Sequence, residues 1–114
     1  MSAITTHVLD LGTGRPAHGM PVTLEIHRPD RGWVKLTEKT TDADGRAREL
    51  LAAGAALDAG HYRLTFDTTE YFRSDGGVPF FPEVQITFEV RDPNQHYHVP
   101  LLLSPFGYST YRGS

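Results

Sequence analysis

The run Val84-Gln85-Ile86-Thr87-Phe88-Glu89-Val90 decides the fold class. Val84, Ile86, Phe88 and Val90 alternate with Gln85, Thr87 and Glu89, and a period of two puts the two sets on opposite faces of an extended chain. The segment therefore reads as a half-buried β-strand. The pattern recurs on either side of it. Ile4, Thr6 and Val8 alternate with Thr5, His7 and Leu9. Val22, Leu24 and Ile26 alternate with Thr23, Glu25 and His27, and Val34 and Leu36 with Trp33, Lys35 and Thr37. Tyr62, Leu64 and Phe66 alternate with Arg63, Thr65 and Asp67. Tyr97, Val99, Leu101 and Leu103 form one face of a further strand, and a short last strand covers Tyr108 to Tyr111.

Turn residues separate these runs. Arg28-Pro29-Asp30-Arg31-Gly32 suits a hairpin, and Asp42-Ala43-Asp44-Gly45-Arg46 is a tight turn whose Gly45 supplies a positive φ. Two segments have helical character: the Ala- and Leu-rich stretch from Glu49 to Leu57, interrupted by Gly54, and a single turn from Thr68 to Arg73 with a threonine cap. The pattern predicts an all-β chain: seven or eight strands in a two-sheet sandwich, with one short helix. It predicts one domain over residues 1–114.

Composition narrows the chemistry. Without cysteine, thiolate catalysis, disulfides and Cys-based zinc sites are excluded. The net charge is −3 and both signs are mixed along the chain, so no basic stripe marks a nucleic-acid or membrane-surface binder. No stretch approaches the roughly 20 apolar residues of a membrane span. The segment Met1 to Leu9 has no basic region leading into an apolar one, so it reads as a cytoplasmic chain with no secretory signal.

The candidate site residues are histidines and arginines. His96 and His98 share a strand face opposite Tyr97, Val99, Leu101 and Leu103, so they point outward together with Pro100 and Leu102. Either imidazole serves as a general base near neutral pH, or the pair ligates a metal. Pro100 cannot donate to a ladder and suggests an edge; Leu102 on the same face suggests cover by another subunit. His7 also points away from the core. Arg46, after Gly45, is suited to hold an anion or a developing oxyanion if it converges with His7 and His98. His18, His27 and His61 carry no assigned role. There is no Gly-x-Ser-x-Gly elbow and no phosphate loop, because Gly12-x-Gly14 runs into Pro16. Hydrolysis on this chain would rest on histidine-activated water or a metal.

Several of these residues lie in a familiar arrangement. Thr6-His7-Val8-Leu9-Asp10 with Gly14-x-Pro16-Ala17 opens the chain, and Thr41-x-x-Asp44-Gly45-Arg46 follows. Phe80-Phe81-Pro82-Glu83-Val84, then His96-Tyr97-His98-Val99-Pro100-Leu101-Leu102-Leu103-Ser104-Pro105 and Tyr111-Arg112-Gly113-Ser114 complete it. In these segments the chain resembles the 5-hydroxyisourate hydrolases, the transthyretin-related family of purine breakdown. The resemblance implies a transthyretin-type sandwich, a homotetramer with sites between subunits, and hydrolysis of 5-hydroxyisourate in urate degradation without a cofactor or metal. It places catalytic roles on His7, Arg46 and His98, and substrate binding on Tyr111, Arg112 and Ser114. Two other readings stay open: a transthyretin-like small-molecule carrier, and a zinc hydrolase ligated by His7, His96 and His98.

Overall fold

The computed structural model describes residues 3–52, 54–73 and 76–114. Two sheets account for its architecture. The first has four strands in the order β4-β3-β6-β7: β3 (Pro21–Arg28), β4 (Gly32–Thr40), β6 (Gly60–Phe66) and β7 (Val84–Val90). All its pairings are antiparallel. The second is built around β1 (Ile4–Asp10). One edge of β1 takes β2 (Arg15–Pro16) and β5 (Arg46–Ala47) in antiparallel pairing. The other edge takes β8 (Tyr97–His98) and β9 (Leu101–Ser104) in parallel, and β10 (Gly107–Thr110) closes on β9. Helix α1 (Thr68–Arg73) joins β6 to β7.

The core lies between the sheets and follows the alternation. Ile4, Val8, Leu101 and Leu103 of one sheet meet Val22, Leu24, Leu64 and Phe66 of the other, all buried. Each such side chain stabilises the fold by about 1.5–3 kcal/mol before the entropy of ordering is counted. Buried hydroxyls are paired: Thr6 Oγ1 donates to the Val99 carbonyl at 2.6 Å, and Thr41 Oγ1 to the Ala17 carbonyl at 2.6 Å.

Four expectations change in detail. The seven or eight strands become ten among the described residues, because β2, β5 and β8 are two-residue pieces that all pair with β1. Leu36 was expected on the core face but is 40% exposed. A bulge shifts the β3–β4 register so that Leu24 faces Thr37 and Glu25 faces Lys35, which leaves Leu36 as the extra residue. No helix forms among the described residues between Glu49 and Leu57; residue 53 lies outside them. Glu49 itself sits at φ 58° and Gly54 at φ 78°, and a left-handed residue at either place stops helix growth. Finally, Pro100 is buried rather than outward, and the strand it interrupts is no edge, since β9 lies between β1 and β10. The pairing with β1 keeps its register across Val99-Pro100, from Thr5↔His98 to Val8↔Leu101, and the gap in the ladder falls between β8 and β9.

Candidate functional site

Strand β1 carries the site on its outward residues. Thr5 and His7 are half-buried, while Ile4, Thr6 and Val8 turn inward. The β1–β5 register sets His7 opposite Arg46, and the β1–β8 register sets Thr5 opposite His98. Two strands on opposite edges of β1 thus bring Arg46 and His98 to one face.

Arg46 is placed by the turn before it. Gly45 has φ 79°, and a Cβ there would lie 2.4 Å from the Val8 carbonyl oxygen. Only glycine lets the turn approach β1 closely enough for the Val8 N–H to reach the Gly45 carbonyl at 2.8 Å. The Asp42 carboxylate ties the turn from inside, accepting from the backbone N–H of Arg46 at 3.0 Å and of Asp44 at 2.9 Å, and from Arg48 Nε at 2.8 Å. The Arg46 backbone N–H, then the Arg48 side chain, hold the Asp42 carboxyl below its usual range. Arg48 is occupied by Asp42 and Asp44, whereas Arg46 and Lys39 make no ion pair among the described residues.

The two histidine environments differ. The Nε2 of His7 lies 2.7 Å from the Asp44 carbonyl oxygen. A carbonyl only accepts, so this nitrogen carries the proton and donates. The Nδ1 of His98 lies 2.8 Å from Thr5 Oγ1, and its Nε2 has no hydrogen-bond partner among the described residues. Burial depresses the pKa of His98, and the charges of Arg46, His96 and His7 push it further down, so its ring stays neutral below the usual histidine range.

A cleft of about 590 Å³ opens on this face. Arg46, His96, His98, Lys39, Glu49 and Ser114 stand in its wall, with Thr5 on its floor. The tail reaches it through the Gly113 N–H, which donates to the His98 carbonyl at 2.8 Å and continues the ladder past β10. Tyr111 and Arg112 line a different groove, beside Phe88 and Tyr97. The Arg112 guanidinium stacks 4.6 Å above the Tyr97 ring and donates to Gln95 at 3.0 Å. The structure therefore brings together Arg46, His98 and Ser114, sets His7 beside Arg46 in the next strand, and puts Tyr111 and Arg112 on the other side of the tail.

Sequence reading missed Thr5, Lys39 and Glu49. Thr5 looked like any outward strand residue, and Lys39 becomes part of the cleft only because β4 ends beside β5. Glu49, the one non-glycine residue with positive φ among those described, carried no pattern signal. The three-histidine zinc arrangement does not form: among the described residues no group of three His, Cys, Asp or Glu side chains is placed to hold a metal.

Residues 4–113 match the model of the HIUase/Transthyretin family. The 5-hydroxyisourate hydrolase of Caulobacter vibrioides is 49% identical over 119 residues, covering 100% of both chains. The solved 5-hydroxyisourate hydrolase of Klebsiella pneumoniae superposes with a TM-score of 0.86 at 39% identity, covering 100% of each chain. Sea bream transthyretin in complex with thyroxine superposes with a TM-score of 0.89 at 32% identity, covering 97% of this chain and 94% of that one. A sandwich of four antiparallel strands against a sheet centred on β1, with a polar cleft where β5 and β8 flank that strand, thus accompanies likeness over nearly the whole length: the chain belongs to the HIUase/Transthyretin family.

Proposed function

We propose that this protein hydrolyses 5-hydroxyisourate to 2-oxo-4-hydroxy-4-carboxy-5-ureidoimidazoline in urate degradation. The observation that carries the reading is the pairing, in one cleft, of an arginine with no ion pair and a histidine whose Nε2 has no hydrogen-bond partner among the described residues. The substrate's ring amide is electron-poor, so water activated by a base is a sufficient nucleophile. His98 is the base: its depressed pKa keeps it neutral and its Nε2 lone pair is available. His7 has committed its Nε2–H to the Asp44 carbonyl and acts by steadying the Arg46 turn.

As water adds to the ring carbonyl, negative charge grows on oxygen. Arg46, which no carboxylate among the described residues neutralises, meets that charge and the anionic substrate. Collapse breaks the ring C–N bond, and the proton held on His98 Nε2 goes to the departing nitrogen. Ser114 is the tail's contribution to the cleft. Tyr111 and Arg112 act on substrate binding through the tail, which Arg112 pins to Tyr97 and Gln95.

The working form is a cytoplasmic homotetramer, with no metal or cofactor in the mechanism. Phe80 and Phe106 are 67% and 79% exposed in the single chain and are drawn to one place by the Phe80 N–H donating to the Pro105 carbonyl at 2.9 Å, adjoining apolar surface that supports a subunit contact there. Sedimentation should give four copies.

The deciding assay is the ultraviolet decay of 5-hydroxyisourate, generated from urate by urate oxidase. The protein should accelerate the decay equally with and without chelator. Loss of acceleration with chelator would overturn the metal-free mechanism. No acceleration by folded protein would overturn the hydrolase reading and favour a carrier.

A further inference from the structure

The Thr5 hydroxyl lies between two imidazoles. Its Oγ1 is 2.8 Å from His98 Nδ1 and 3.1 Å from His96 Nε2. The rings are near parallel, 11° apart, with centroids at 6.4 Å. A hydroxyl has one proton, so it donates to one ring and accepts from the other. The protonation states of the two histidines are coupled through it. We propose that Thr5 and His96 form a proton relay behind His98, resting on the hydrolase reading above, in which Thr5 sets the His98 tautomer and exposed His96 exchanges the proton with solvent.

The proton count closes. In the resting state His98 Nδ1–H donates to Thr5 Oγ1, Thr5 donates to His96 Nε2, and His98 Nε2 presents its lone pair to the cleft. When Nε2 takes a proton from the attacking water, the Nδ1 proton moves to Thr5 as the Thr5 proton moves to His96. His98 is then neutral with Nε2–H, ready to protonate the departing ring nitrogen. His96, now cationic, passes its Nδ1 proton to bulk water. When His98 Nε2 gives its proton to the ring nitrogen, the His96 Nε2 proton returns through Thr5 to His98 Nδ1 and His96 Nδ1 takes a proton back from solvent, so the one proton released overall is the product carboxyl's own. His96 is exposed and suited to that exchange, whereas His98 is half-buried. Around His98 stand Arg46 from β5, His7 from β1 and His96 from its own segment; all three disfavour a lasting positive charge on its ring. Moving the charge outward relieves that.

Thr5 and His96 are positioning and relay groups, and three readouts test them. Long-range 15N–1H spectra should show His98 protonated on Nδ1 in the wild type and on Nε2 in Thr5→Val. Thr5→Val should lower kcat about tenfold or more with little change in KM, and Thr5→Ser should restore both tautomer and kcat. His96→Gln, at an exposed position where folding is not at stake, should lose about tenfold in kcat and regain it as imidazole buffer is raised. Wild-type kcat in Thr5→Val, an unchanged tautomer, or a His96→Gln defect indifferent to imidazole would each overturn the relay. The wild type, run alongside, separates these outcomes from failure of the hydrolase reading, in which no variant and no wild type would turn over.

Discussion

Gly113→Ala is the most informative single change in the tail. The added Cβ would sit 2.4 Å from His98 Cδ2 and 3.2 Å from Cγ, about 1 Å inside the 3.4 Å at which ordinary contact begins. The ring can yield toward the cleft only by giving up its contacts. Its Nδ1 is held at 2.8 Å by Thr5, and the Gly113 N–H holds the His98 carbonyl at 2.8 Å. Either the ring turns off Thr5 or the tail lifts away, withdrawing Ser114 from the cleft. Forcing a methyl into a filled space costs about 1–3 kcal/mol. At about 1.4 kcal/mol per tenfold, kcat/KM should fall roughly 5- to 150-fold in the 5-hydroxyisourate decay assay. The tail can release the strain by lifting away without opening the core, so Tm should fall by less than the roughly 4 °C per kcal/mol that the full strain would cost. Wild-type kcat/KM in Gly113→Ala would refute the claim that the tail and the His98 ring share one space. A loss of activity matched by a large fall in Tm would refute the claim that the effect is local.

The remaining predictions concern charge, strain and buried polarity. Arg46→Gln removes a cation that opposes protonation of His98, so the acid limb of the kcat/KM–pH profile should move up toward pH 6.5; burial, the larger cause, remains, so the limb stays below it. For stability the sign follows from the depressed pKa: below about pH 6.5 the unfolded chain binds a proton that folded His98 resists, so stability falls with falling pH in that window. His98→Asn should remove that part of the slope in urea titrations at two pH values. Glu49→Gly relieves a left-handed non-glycine residue and should raise stability by about 1 kcal/mol in urea unfolding, less the added entropy of the unfolded chain. Thr41→Val deletes a buried hydroxyl that donates to the Ala17 carbonyl at 2.6 Å and accepts from the Met20 N–H at 2.9 Å; both backbone groups lose their partner, and stability should fall by about 2–3 kcal/mol.

How much was legible in the sequence depends on what each segment's neighbours do. The alternating runs of β1, β3, β6 and β7 were readable because burial on one face alone imposes a period of two. The bulge at Leu36 was not, since one extra residue in β4 is visible only against its partner strand. The Ala- and Leu-rich stretch after Glu49 has helical propensity, yet the close approach of the Gly45 turn to β1 fixes the path that follows, and Glu49 turns left-handed. Arg46 and His98 were legible as outward residues, but their meeting was not, because it depends on a two-residue strand that only its contact with β1 defines. Thr5 was invisible as a functional candidate: its role lies in having two imidazoles within reach, a fact about space rather than spacing.

The parallel pairing of β1 with β8 joins Thr5 to His98 across a sequence separation of 93 residues. Contacts so distant along a chain pay their loop-closure cost late and form slowly. The four-stranded sheet needs nothing beyond Val90, so during synthesis it can form while the second half of the cleft is still within the ribosome. Hydrolytic capacity then arrives in one late event, when β8 and β9 dock along β1. A nascent or prematurely terminated chain would hold half a sandwich and an exposed β1 edge, the part of this molecule most open to aggregation and most in need of a chaperone.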